Sequence, residues 1–147
     1  MAYDISLRLP QGWVSDLETY LDESGVEITH LSSHLPNDRK QTDEALIDVY
    51  VGPMPEDSTA ADQALANYAD TVGFDEDDPE EFDPIIEWPF GNKKAYGFEA
   101  IAEDDSPMRL MCIEVKKGIL VILCILAKDD DTLVEAVQLA ERGLRLK

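Results

Sequence analysis

The chain has 147 residues, of which 44% are hydrophobic, and its 32 Asp and Glu against 12 Lys and Arg give a formal net charge of −20. This length and apolar content suit one folded domain over residues 1–147 and argue against a disordered chain. The charge argues against nucleic acid and anionic membranes as partners, because both repel an acidic surface.

The N-terminal sequence MAYDISLRLPQGW alternates polar and apolar residues and lacks the apolar core of a signal peptide. The longest apolar run, residues 119–127, is too short to span a bilayer as a helix. We therefore predict a cytoplasmic protein.

The first third of the chain predicts three strands and a short helix. Residues 3–9 alternate apolar and polar side chains, which is typical of a half-buried strand. Residues 13–23 place their large apolar side chains at helical spacing and predict a short helix. Residues 26–34 and 44–55 are rich in β-branched and apolar residues at alternate positions, and each predicts a strand.

The remainder predicts two helices and four strands. A helix is expected over residues 59–72, with Ser58 or Thr59 as its N-cap. The closing helix is expected from about Thr132, with Thr132 and Glu135 as a capping box. Between the helices, strands are predicted over residues 85–90, 93–102, 108–115 and 119–127.

The order of these elements indicates the fold class. Short turns join most of the strands, which favours antiparallel pairing. The strand at residues 119–127 is apolar on both faces, so it needs packing partners on both sides of the sheet. We predict an α+β fold, an α/β/α sandwich with a mostly antiparallel sheet.

Two cysteines, Cys112 and Cys124, flank a predicted turn at Lys117 and Gly118. A two-residue loop would place the two thiols on opposite faces of the hairpin, and a three-residue loop would make them diagonal neighbours. Neither arrangement suits a disulfide, so we predict reduced, buried thiols.

The most acidic segment is FDEDDPEEFDP, residues 74–84. It lacks the glycine of a calcium-binding EF-hand loop, and Pro79 and Pro84 stiffen it. A solvated loop is one interpretation, and a looser divalent-cation site is another. Aromatic anchors inside a charged rim are typical of a third, a protein interface. The candidate partner-binding residues in this segment are Phe74, Asp75, Glu76, Asp77, Asp78, Glu80, Glu81 and Phe82.

A second candidate surface is the segment EWPFGNKKAYG, residues 87–97. It concentrates Trp88, Phe90 and Tyr96 beside two lysines. These aromatic side chains could contact a partner at a hairpin tip, or they could cover the edge of the core.

His30 and His34 are the only histidines, and their spacing places both on one face of a helix or strand. Two histidines with a carboxylate can bind zinc or iron, so a metal-binding protein or metal-dependent enzyme is one alternative function. The chain contains no HExxH motif, no GxSxG elbow and no phosphate-binding glycine loop. We therefore predict no catalytic residues, no committed metal ligands and no cofactor.

The segments LPQGW after the first strand and AKDDDTLVEAVQLAERGLRLK at the last helix resemble the PsbP-like fold. Photosystem PsbP subunits, the Ran-binding Mog proteins and small bacterial domains of unknown function share that fold. The resemblance covers nearly the whole chain as an order of elements. It implies a non-catalytic binding or assembly role and assigns no individual functional residue.

Together these observations predict a non-catalytic protein-binding module, such as an adaptor, assembly factor or chaperone-like protein. The expected partner is another protein, and a basic one would suit the charge. An acidic immunity or anti-nuclease inhibitor, which would block a basic toxin, is an alternative. The sequence gives no indication of the oligomeric state.

Overall fold

A seven-stranded antiparallel sheet organises the computed structural model, which describes residues 5–36, 44–68, 85–91, 93–101 and 106–146. The elements, in chain order, are β1 (Ile5–Leu7), β2 (Val14–Leu21), β3 (Glu27–Leu35), β4 (Ala45–Pro53), α1 (Ala60–Tyr68), β5 (Ile86–Phe90), β6 (Lys93–Ile101), β7 (Pro107–Lys116), β8 (Ile119–Ala127), α2 (Asp130–Gly143) and β9 (Leu144–Leu146).

The strand order in the large sheet is β2-β3-β4-β8-β7-β6-β5, and every neighbouring pair is antiparallel. Strands β2 to β4 and strands β5 to β8 each form a meander whose neighbours are consecutive in sequence. The β4–β8 pair joins the two meanders. Strands β1 and β9 form a separate two-stranded sheet.

Alternation along the strands divides the core between the two faces of the large sheet. On one face, α2 packs on a cluster that includes Ile47, Val49, Leu123, Ile125, Leu133 and Ala140. On the other face, α1 packs on a cluster that includes Ala60, Ala64, Phe98, Leu110 and Cys112. The central strand β8 contributes to both clusters, which explains why its sequence is apolar throughout.

The prediction of an α/β/α sandwich is wrong, because the structure is mostly β. Strands account for 57% and helices for 20% of the described residues. Helix α1 packs against β6 and β7, and α2 packs mainly against β8 and β4, so neither covers its whole face. The segment predicted as a helix, residues 13–23, instead extends the sheet as β2.

A tight turn explains why this segment is a strand. The Asp22 N–H donates to Val26 O (2.9 Å), and the Asp22 side chain accepts hydrogen bonds from Ser24 N (2.8 Å) and Val26 N (2.9 Å). Gly25 has a φ of 80°, a conformation that glycine adopts without strain. Gly25 therefore belongs to the turn of the β2–β3 hairpin.

Three further details differ from the sequence-based expectation. The closing helix begins at Asp130, and Asp129 is its N-cap, accepting a hydrogen bond from Thr132 N (2.8 Å), so the predicted Thr132–Glu135 capping box is wrong. A register shift between Glu114 and Lys116 combines a two-residue turn with the diagonal, same-face arrangement of the two free thiols that was expected for a three-residue loop. Strand β9 was not predicted.

The predicted end of the first long helix, residues 69–72, lies outside the described residues. Within the described part of the chain, neither helix combines the length and the apolar character needed to cross a bilayer.

Candidate functional site

Strand β2 lies at one edge of the large sheet, and all eight of its residues are exposed. It pairs with β3 on one side, and no described strand pairs with its other side. Backbone N–H and C=O groups alternate between the two sides of a strand. The outer side of β2 therefore presents unpaired hydrogen-bonding groups to which another extended chain could add.

The two faces of β2 differ in chemistry. One face, called here the acidic face, carries Asp16 and Glu18 between Val14 and Tyr20, and the opposite face carries Leu17 and Leu21, whose exposed fractions are 58% and 68%, in alternation with Ser15 and Thr19. Exposed leucines in an edge strand are uncommon, because a long apolar edge promotes association. Ser15 Oγ lies 2.8 Å from Ser33 Oγ, which helps to fix β2 against β3.

A side-chain cluster fixes the acidic face across three strands. His30 on β3 lies between Glu18 on β2 (Nδ1 to Oε1, 3.2 Å) and Asp48 on β4 (Nε2 to Oδ1, 2.9 Å). Tyr50 stacks on His30 with ring centroids 4.3 Å apart and planes 2° apart. Imidazole has two N–H groups only when it is protonated, so both contacts are hydrogen bonds only in that form.

This cluster changes the interpretation of the histidines. Both ring nitrogens of His30 already face carboxylates, so neither is open to a metal ion. His34 lies four residues along the same strand, about 13 Å away at the usual rise of a strand, which is too far to share one ion. Among the described residues, no group of three or more His, Cys, Asp or Glu side chains could hold a metal ion.

The thiol next to the cluster is not an activated nucleophile. Burial, followed by the charge of Asp48, raises the pKa of Cys124 to about 11. Burial and the same carboxylate also raise the pKa of the Tyr50 hydroxyl. Both groups are therefore protonated at neutral pH, and the charge of this face comes from its carboxylates.

The structure does not bring the predicted aromatic residues of the β5–β6 hairpin onto one surface. Phe90 is buried, and Trp88 packs beside it on the α2 face, where the Arg109 guanidinium lies 4.4 Å from the indole centroid. Tyr96 packs on the α1 face, and its hydroxyl donates to Glu87 Oε1 (3.0 Å). That hydrogen bond raises the pKa of Tyr96.

The other predicted partner-binding residues lie outside the described residues, namely Phe74, Asp75, Glu76, Asp77, Asp78, Glu80, Glu81 and Phe82. Sequence reasoning missed β2 because its apolar residues also fit a helix. The available signal was the turn sequence DESG, residues 22–25, which directly precedes a segment that predicts a strand.

Comparison of the chain with protein-family models, with curated proteins and with solved structures gives no match. The comparisons neither support nor oppose the PsbP-like resemblance, which stays a prediction.

Proposed function

We propose that this protein is a non-catalytic binding module that accepts an extended segment of a basic protein along β2. The observation that carries the proposal is an eight-residue edge strand, exposed throughout, with two carboxylates on one face and two leucines on the opposite face. Addition of a strand to a sheet edge uses main-chain hydrogen bonds for affinity and alternate side chains for specificity.

The alternation on β2 determines which segment would fit. Directly opposite residues of an antiparallel pair point to the same face, so cross-strand neighbours should be complementary. A fitting segment places Lys or Arg beside Asp16 and Glu18, and apolar side chains beside Leu17 and Leu21. The net charge of −20 would speed the approach of such a partner and make binding sensitive to salt.

A second copy of the chain fits this edge less well. Two β2 strands could pair with their acidic faces on the same side. When the middle of one strand lies opposite the middle of the other, Asp16 or Glu18 of one copy is then opposite Asp16 or Glu18 of the second copy. Like charges directly opposite each other destabilise a strand pair. A basic segment avoids this repulsion.

The test uses a synthetic peptide of alternating Lys and Val with blocked termini, and a control peptide of the same composition with the lysines and valines in separate blocks. Binding is followed by amide shifts in ¹H–¹⁵N spectra. We expect the alternating peptide to shift and protect the β2 amides, and the block peptide to bind more weakly. Asp16→Lys should weaken binding by about tenfold, corresponding to about 1.4 kcal/mol.

Glu114→Lys is the matched control, because Glu114 is an exposed carboxylate on β7, four strands away from β2. It makes the same change in net charge and should alter binding far less than Asp16→Lys. Equal weakening by the two variants, or peptide shifts that map away from β2, would show that general charge attraction or another surface accounts for binding.

A further inference from the structure

A cavity of about 230 Å³ lies where the β5–β6 and β7–β8 hairpins turn, beside the C-terminal end of α2. Its apolar floor is formed by Ile5, Phe90 and Val121, all of which are buried. The cavity is smaller than the pockets that hold drug-sized molecules, so it suits a compact ligand.

The rim of this cavity has the opposite charge to the protein. Lys93, Lys116 and Arg145 line it together with one carboxylate, Glu141, whereas the whole chain has 12 cations and 32 acids. Arg145 lies just beyond the negative end of α2, where a cation is favoured. Lys93 and Lys116 come from two strands, and neither forms an ion pair with another described residue.

A β-bulge directs one of these lysines into the cavity. Glu114 pairs with Leu120 but Lys116 pairs with Ile119, so Val115 is an extra residue in β7. Regular alternation would turn Lys116 toward the α1 face, whereas the bulge lets Val115 and Lys116 both line the cavity. Bulges commonly re-aim side chains next to functional sites.

We propose that this cavity binds a small organic monocarboxylate. The apolar body of the ligand rests on Ile5, Phe90 and Val121, and its carboxylate contacts Lys93 and Lys116. Lysine is a strong donor to anions, and an apolar floor favours a ligand with a hydrocarbon part. An inorganic phosphate has no such part, and the apolar floor would remove water from it without compensation.

Glu141 allows a second test of the charge argument, in which removal of a negative charge should strengthen binding. The Gly91 N–H donates to Glu141 Oε1 at 3.3 Å, which holds this carboxylate at the cavity. A bound carboxylate would be repelled by it. Glu141→Gln keeps an oxygen acceptor for Gly91 and removes the charge, so it should strengthen binding.

The experiment titrates the whole protein with benzoate, with neutral benzamide of nearly the same shape, and with inorganic phosphate, following ¹H–¹⁵N spectra. Benzoate is expected to shift the amides of Gly91, Lys93 and Val121 and to bind at least about fivefold more tightly than benzamide. Equal binding of benzoate and benzamide, no shifts at these amides, or phosphate binding as tightly as benzoate would each overturn the proposal.

Three variants complete the test. Lys116→Gln should raise the dissociation constant for benzoate by about fourfold, and Glu141→Gln should lower it by a similar factor. Lys117→Gln is the control, because Lys117 is an exposed neighbour that does not line the cavity. A loss of affinity in Glu141→Gln, or equal losses in the two lysine variants, would contradict the assigned site.

Discussion

Burial determines the acid–base chemistry of the two cysteines. It raises the pKa of Cys112 to about 12 and, together with the Asp48 charge, that of Cys124 to about 11, against an ordinary value of 9.0. The thiolate is the disfavoured form, because the core solvates a charge poorly. The folded protein therefore holds these two protons more tightly than the unfolded chain does.

We predict that these thiols make the protein less stable at high pH. Their contribution to the free energy of unfolding is fully present below pH 9 and is lost as the pH rises toward 11 and 12. The unfolded chain then releases protons that the folded chain retains. Urea unfolding of the wild type across this range should show the decline. The double variant Cys112→Ala with Cys124→Ala should be less stable at neutral pH but should lose less stability on alkalinisation. Identical pH slopes for the two proteins would contradict this assignment.

At the scale of single elements, the centre of β6 is constrained by its neighbour β7. A Cβ atom added at Gly97 would overlap the backbone of Leu110 and Met111, which cannot move without disturbing the ladder. At Gly52 on β4, an added Cβ would meet only the end of the Ile28 side chain at 2.7 Å. The two glycines therefore offer a matched comparison of backbone and side-chain crowding.

We predict that Gly97→Ala lowers the free energy of unfolding by about 3 kcal/mol and Gly52→Ala by about 1 kcal/mol. The difference arises because a side chain can rotate away, whereas a paired strand must shift. Chemical denaturation measures both values, with the same dependence of the free energy of unfolding on denaturant concentration used for both variants. A loss in Gly97→Ala no larger than that in Gly52→Ala would mean that β6 and β7 separate easily.

Elements whose sequence fits one kind of structure could be predicted, and the others could not. Helix α2 has a helical apolar period, and the β7–β8 hairpin follows from short apolar segments on both sides of the turn at Lys117 and Gly118. The apolar residues of β2 lie at helical spacing and do not alternate, so its strand conformation comes from pairing with β3 and not from its own pattern. The same limit applies to the bulge at Val115, because the local sequence EVKKG gives no sign of an extra residue. The charges around the cavity come together only through the fold.

At the scale of the whole molecule, self-repulsion opposes folding, since 32 acidic residues face 12 basic ones. Ion pairs such as Arg109 with Glu99 (3.2 Å) and Lys128 with Glu44 offset a small part of this repulsion. Such surface pairs contribute little individually. The net charge therefore dominates the effect of salt on the stability of the fold.

We predict that raising the ionic strength from about 0.01 M to about 0.15 M increases Tm, because the screening length falls from about 30 Å to about 8 Å. If screening restores about 1 kcal/mol, the increase is about 2–4 °C for a chain of this size. Calorimetry in NaCl and in KCl at matched ionic strength distinguishes general screening from binding of one cation. A constant or falling Tm in both salts would contradict the prediction.

The β4–β8 pair has a consequence for how the chain folds. Each meander can form by closing short loops in turn, so its hairpins have a low entropic cost. The two meanders can join only after a long loop between β4 and β8 closes, and this step carries most of the sequence separation in the large sheet. We expect the folding transition state to be governed by the docking of two partly formed halves along this seam.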